Sequence, residues 1–144
     1  MQRQASPANA LDLNGITHGI IAAAIEVHRQ LGPGLLGSAY QECVCYELSK
    51  MGVAFAREVH LPLSYKGLRL DCSYRIDLLV EDVILVELKS IEQVLPIHSA
   101  QLLTYLRASN KPIGLLINFN VLVLKDGIKR VVHEYAERGP DNAC

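Results

Sequence analysis

The run VILVELKS, residues 83–90, sets a glutamate and a lysine two positions apart in an otherwise apolar segment. Four apolar residues in succession imply a buried strand. Residues i and i+2 of a strand share a face, so Glu87 and Lys89 point together. Burying two charges is costly unless they pair, bind a metal or reach solvent in a cleft. Asp77 interrupts a second apolar run, SYRIDLLVED, in the same way. The short link between the runs predicts an antiparallel hairpin, and its register decides whether the carboxylates meet. A two-residue turn at Glu81-Asp82 pairs 77 with 86 and sends Asp77 and Glu87 to opposite faces. A three-residue connection, 81–83, pairs 80 with 84 and 77 with 87. Because a one-residue slip flips every side chain, a site shared by both carboxylates demands the odd-length loop or a bulge, with Asp82 tolerating a left-handed conformation.

Under that register Asp77, Glu87 and Lys89 converge. Two carboxylates are about what Mg²⁺ takes from protein while it keeps waters and substrate phosphate oxygens. A neighbouring ammonium can hold the attacking water and offset developing charge. The array suits metal-assisted phosphodiester hydrolysis, although the spacing alone fits a structural ion pair equally well. On the helix expected over 97–109, His98, Gln101 and Tyr105 fall in one narrow stripe at ~100° per residue. Gln101 and Tyr105 form an i,i+4 pair that can flank the site. A solvated Gln and a half-exposed Tyr are the bland alternative.

These residues need elements to carry them. The chain has 144 residues, of which 50% are hydrophobic and 20% charged, enough for one domain with a full core. The first helix is expected from Ile16 to Leu31, capped by Asn14 and stopped by Gly32-Pro33-Gly34. The second runs from about Ser38 to Met51 with Tyr40, Val44, Leu48 and Met51 turned inward, and stops at Gly52. Residues 57–90 read as three or four strands, with a turn at Lys66-Gly67. After the helix over 97–109, IGLLINFN is strand-like, and VLVLKDGIKRVVHEY reads as a hairpin turning at Asp126-Gly127. The pattern indicates an α/β fold, a central mixed sheet flanked by helices. A flexible N-terminus (1–13) and tail (137–144) bracket a single domain over 14–136.

Net charge is −1, so no basic bias advertises nucleic-acid binding, although a local patch such as Lys125, Lys129 and Arg130 can still meet phosphates. Cys43, Cys45, Cys72 and Cys144 lack metal-ligand spacing and read as reduced small hydrophobes. The five histidines show no HxxxH or HxH spacing, and His28 reads as a satisfied, half-buried side chain. No signal-type apolar core or membrane-spanning run is present, which points to a cytoplasmic protein without membrane partners.

The stretches AAIEVHRQLGPGLLGSAYQE, YRIDLLVED, ILVELKSIEQVLPIHSAQLLTYL and GLLINFNVLVLKDGIKRVV resemble, in this order over roughly residues 14–133, the PD-(D/E)XK nuclease superfamily in its RecB-like form with a QxxxY helix. The closer resemblance is to the GxxExxY protein family. It implies a restriction-endonuclease-like core and a nuclease acting on nucleic acid, DNA before RNA. It also implies Mg²⁺ (or Mn²⁺) at Asp77, Glu87 and the Leu88 carbonyl. By the same resemblance Lys89 is the catalytic lysine, and Gln101 and Tyr105 are its auxiliary pair.

The chain departs from that pattern at Gly37, where the family's name motif has a glutamate. Glu26, Tyr40, Glu47 and His98 are the auxiliary candidates. Glu42 points about 160° from Tyr40 and is a poor one, and Glu26 ranks above it. A carboxylate lost from such a cluster costs around 10²–10³ in rate. An inactive nuclease-fold module that binds nucleic acid or a protein partner is therefore the competing function. A homodimer through the small-residue face of the first helix (Gly19, Ala22, Ala23) is a further expectation.

Overall fold

Asp12 opens the first helix, its carboxylate accepting from the Gly15 N–H at 3.1 Å. The computed structural model describes residues 12–134, the side chains of 71–73 excepted. The outer termini, with Cys144, and the Cys72 side chain lie outside the described residues. Helix α1 spans Leu13–Leu31. Its cap is thus Asp12 and not Asn14, whose side chain accepts instead from the Arg130 guanidinium at 3.3 Å. Helix α2 spans Gly37–Lys50 and turns Tyr40, Val44 and Leu48 inward. Met51, expected on that stripe, is exposed, as the C-cap at the open end of the helix. Gly52 comes next at φ +73°, a left-handed stop that glycine adopts without strain.

Strands β1 (Phe55–Tyr65) and β2 (Leu68–Val80) form a hairpin. Its two turn residues, Lys66 and Gly67, both have positive φ, the geometry that matches the strand twist. Strand β3 (Ile84–Lys89) is next, then α3 (Pro96–Ser109), β4 (Ile113–Asn118) and β5 (Ile128–Val132). The five strands lie in sequence order. The β3–β4 pair, joined through α3, is parallel and the others are antiparallel.

The expected hairpin at Asp126-Gly127 is not formed. Leu124–Gly127 is a 3₁₀ turn, and Ile128 pairs with Ile117 of β4. A side chain at Gly127 would collide with the Asn118 carbonyl, so the backbone passes β4 too closely for an intervening strand.

Helices α1 and α2 cover one face of the sheet, where Ile20, Val27, Tyr40, Val44 and Leu48 meet Leu78, Val86, Leu115 and Ile117. Helix α3 covers the other, with Leu102 and Leu106 on Leu85 and Leu116. Every residue of β4 is buried, as a central strand covered on both faces requires. Ala23 is buried in the α1 layer and Gly19 lies against the Met51 methyl. Ala22 is exposed, so the three residues expected to form a dimer face do not make one free surface. Among the described residues no helix is long and apolar enough to cross a membrane.

The β1–β2 ribbon is irregular at one point. Phe55, Leu78 and Val80 pack in the α1–α2 layer, whereas Val59, Leu61 and Ile76 pack in the α3 layer. The ribbon therefore switches faces between the pairs Arg57↔Leu78 and Val59↔Ile76, at Glu58 and Asp77. Glu58 has φ +50°, a left-handed conformation costing an L-residue roughly 1–2 kcal/mol. Such a break re-aims side chains.

Candidate active site

The loop after β2 has three residues, 81–83, since Val80 pairs with Ile84. Both Glu81 and Asp82 adopt positive φ, and Asp82 is thus left-handed as expected. The register runs Leu79↔Leu85 and Leu78↔Val86, which sets Asp77 across from Glu87. There the ladder opens. The Leu88 N–H donates to Asp77 Oδ2 at 2.8 Å, and the Asp77 N–H donates to Glu87 Oε1 at 3.1 Å. Side chains thus take the places that backbone carbonyls hold in a continuous ladder. The two strands fork around a carboxyl pair.

The N–H and C=O of one strand residue leave on the same edge, so the Leu88 carbonyl opens into this fork too. The next carbonyl, Lys89 O, leaves on the opposite edge and accepts from Phe119 N at 2.8 Å. Asp77, Glu87 and Leu88 thus bring two carboxylates and a carbonyl to the fork, hard oxygen donors of the type that Mg²⁺ or Mn²⁺ prefers. Lys89 Nζ stands 3.9 Å from Glu87 Oε2.

Burial first, and the Asp77 charge second, push the Glu87 carboxyl up to about 7. Burial also raises Asp77, with the Leu88 N–H opposing it and the Glu58 charge reinforcing it. Lys89 lowers both, but one ammonium does not offset two desolvated carboxylates. Without a cation the pair retains a proton near neutral pH, with Glu87 donating to Asp77. Two carboxylates and a carbonyl are also a donor set that fits a divalent ion.

Tyr105 is 7% exposed, and its hydroxyl stays protonated because burial, then the Glu87 charge, raise its pKa. Gln101 lies one turn earlier on α3 and is exposed. His98 is occupied otherwise: its Nδ1 accepts from the Leu95 N–H at 2.9 Å, closing the N-terminus of α3. Tyr74 of β2 stands beside Tyr105, ring centroids 6.3 Å apart, an aromatic neighbour that sequence reasoning did not pick out.

The other auxiliary candidates separate from the fork. Tyr40 is fully buried and stacks on Phe119 at 4.3 Å. Its hydroxyl donates to Gly32 O at 2.6 Å and accepts from Leu35 N at 3.1 Å. It holds the Gly32–Leu36 turn, whose Leu35 carbonyl takes the Ser90 hydroxyl next to Lys89. Glu26 is bound by Arg29 and Gln30 of its own helix, and Glu47 is half-buried on α2. Glu42 is exposed and paired with Arg57 at 2.9 Å. His28, satisfied as expected, bonds the Val121 carbonyl at 2.8 Å.

Gly37 faces the fork directly. A Cβ built there would lie 3.9 Å from the Leu88 carbonyl oxygen, in ordinary contact, so a side chain fits. The carboxylate from outside the pair whose charge reaches Asp77 is Glu58, which sequence reasoning missed.

Comparison with curated proteins and with solved structures gives no match. The model of one family, described as the PD-(D/E)XK nuclease superfamily, matches residues 14–131. The match spans both forked strands and all three helices, and PD-(D/E)XK nucleases generally work with divalent metal ions. With its α/β core, restriction-endonuclease-like in its mixed sheet and flanking helices, the chain belongs to the PD-(D/E)XK nuclease superfamily.

Proposed function

We propose that the protein is a metal-dependent nuclease, of the GxxExxY kind, that hydrolyses phosphodiester bonds of nucleic acid, with DNA as the preferred substrate. The observation that carries this reading is the carboxyl pair in the β2–β3 fork, short of positive charge, with Lys89 beside it. Asp77, Glu87 and the Leu88 carbonyl would hold Mg²⁺ or Mn²⁺. Such an ion, when bound, lowers the pKa of a coordinated water and neutralises charge on the scissile phosphate. Lys89 orients the water through its N–H donors and offsets charge that develops on the phosphate. Tyr105, kept protonated, donates a hydrogen bond at the Glu87 side, and the exposed Gln101 amide meets a phosphate oxygen. These last two form the QxxxY pair of the proposal.

The purified protein should cleave DNA with Mg²⁺ or Mn²⁺, and Glu87→Ala or Lys89→Ala should abolish cleavage. Protein that cuts neither single- nor double-stranded DNA or RNA with either ion would sink the reading. Gly37 favours a second one, a nuclease-fold module that binds nucleic acid without turnover. That reading predicts binding indifferent to Lys89→Ala and no activity gained on Gly37→Glu.

A further inference from the structure

The helix acid missing at Gly37 leaves the carboxyl pair without a third charge from α2, and the chain carries an alternative on the opposite strand. We propose that Glu58 of β1 is a positioning residue that stands in for this acid and strengthens binding of a divalent cation at Asp77 and Glu87. The proposal rests on the nuclease-type reading of the site and deepens it.

Four observations converge. Arg57 and Val59 pair with Leu78 and Ile76, which sets Glu58 across from Asp77 on the neighbouring strand. Glu58 occupies a left-handed conformation, φ +50°, that residues other than Gly, Asn and Asp rarely adopt. Such outliers persist where surrounding structure holds them, often beside functional groups. Gln41 Nε2 donates to Glu58 Oε2 at 2.9 Å. Gln41 lies one helical turn beyond Gly37, on the same face of α2. That face thus presents no acid of its own and instead holds one contributed by β1. Finally, the Glu58 charge is felt at Asp77.

Arg75 Nη1 lies 3.6 Å from Glu58 Oε1 and pairs with the carboxylate at the rim. Among the described residues no three His, Cys, Asp or Glu side chains close on a single point as a ready metal set. Glu58 therefore acts from outside the direct ligands, orienting water on a hydrated cation and adding to the field that retains it.

Titration calorimetry with Mn²⁺ alone tests the idea, accompanied by thermal melts of metal-free protein. Wild type should bind one Mn²⁺, and Asp77→Asn should bind none. Glu58→Gln, equal in size, should weaken Mn²⁺ about tenfold without lowering the metal-free melting temperature. Glu58→Gly, suited to the positive φ, should weaken it likewise and raise that melting temperature. Adding Gly37→Glu to Glu58→Gln should restore most of the affinity. Wild-type affinity in both Glu58 variants would overturn the proposal and reduce Glu58 to a rim partner of Arg75. A loss of folding stability with unchanged affinity would do the same. Absence of Mn²⁺ binding in the wild type would instead overturn the underlying site.

Discussion

At Glu87 the balance of burial against charge makes a measurable difference. Its carboxyl ionises near 7 in the folded chain, against 4.5 as the ordinary value. Between those values the folded protein holds a proton that the unfolded chain has released. Metal-free stability from this group is therefore complete below about pH 4.5 and is lost as pH rises through about 7. The loss is on the order of 2–3 kcal/mol by pH 8. Glu87→Gln should flatten that decline and leave the metal-free variant more stable than wild type at pH 8, as read from denaturant melts across pH. A variant that keeps the same slope would show that Glu87 ionises normally. Lys89→Ala removes the ammonium that lowers both carboxyls. Metal-free protein should then hold its proton to still higher pH, which NMR titration of the carboxyl carbons can track.

The elements hold the fork in place through their ends and turns. Buried Asn118 ends β4 and ties down the chain leaving β3: its Oδ1 accepts from Ile91 N and Asn120 N, and its Nδ2 donates to Ile91 O. Asn118→Ala would remove the acceptor of the half-buried Ile91 N–H and one of the two side-chain donors to Ile91 O, and should cost about 1–2 kcal/mol, with amide exchange fastest over residues 90–95. Far from the fork, Lys66 sits at φ +50° in the β1–β2 turn, where asparagine is tolerated better than lysine. Lys66→Asn should raise stability by roughly 0.5–1 kcal/mol with catalysis unchanged. A drop in melting temperature would contradict the turn geometry.

For the whole molecule, a cation that binds the folded chain alone stabilises it by mass action. At a hundredfold excess over Kd the gain is about 2.7 kcal/mol, several degrees in melting temperature. Mn²⁺ should therefore raise the melting temperature of wild type, chelator should reverse the effect, and Asp77→Asn should show neither response. The two faces of the sheet meet the fork differently. The α3 layer brings Tyr105 to Glu87, while the α1–α2 layer seals the core and brings Gly37 to the Leu88 carbonyl.

Local pattern determined the helices and strands up to β4 and narrowed the 81–83 connection to two registers, of which only a shared site for Asp77 and Glu87 favoured the odd-length one. Each comes from short-range rules: alternation along a strand, helical spacing, and a hairpin whose length sets its register. Only the tertiary structure placed Glu58. Counting back from the Lys66-Gly67 turn, Tyr65 opposite Leu68 and Leu63 opposite Leu70 put Ala56 across from Asp77. The register slips between Leu61 and Leu63, around a proline that cannot donate to the ladder, and Glu58 moves into that place. Pro62 marked the irregularity in the sequence. The direction and length of the slip depended on how the β1–β2 ribbon passes from one helical layer to the other, a balance of contacts distant in the chain.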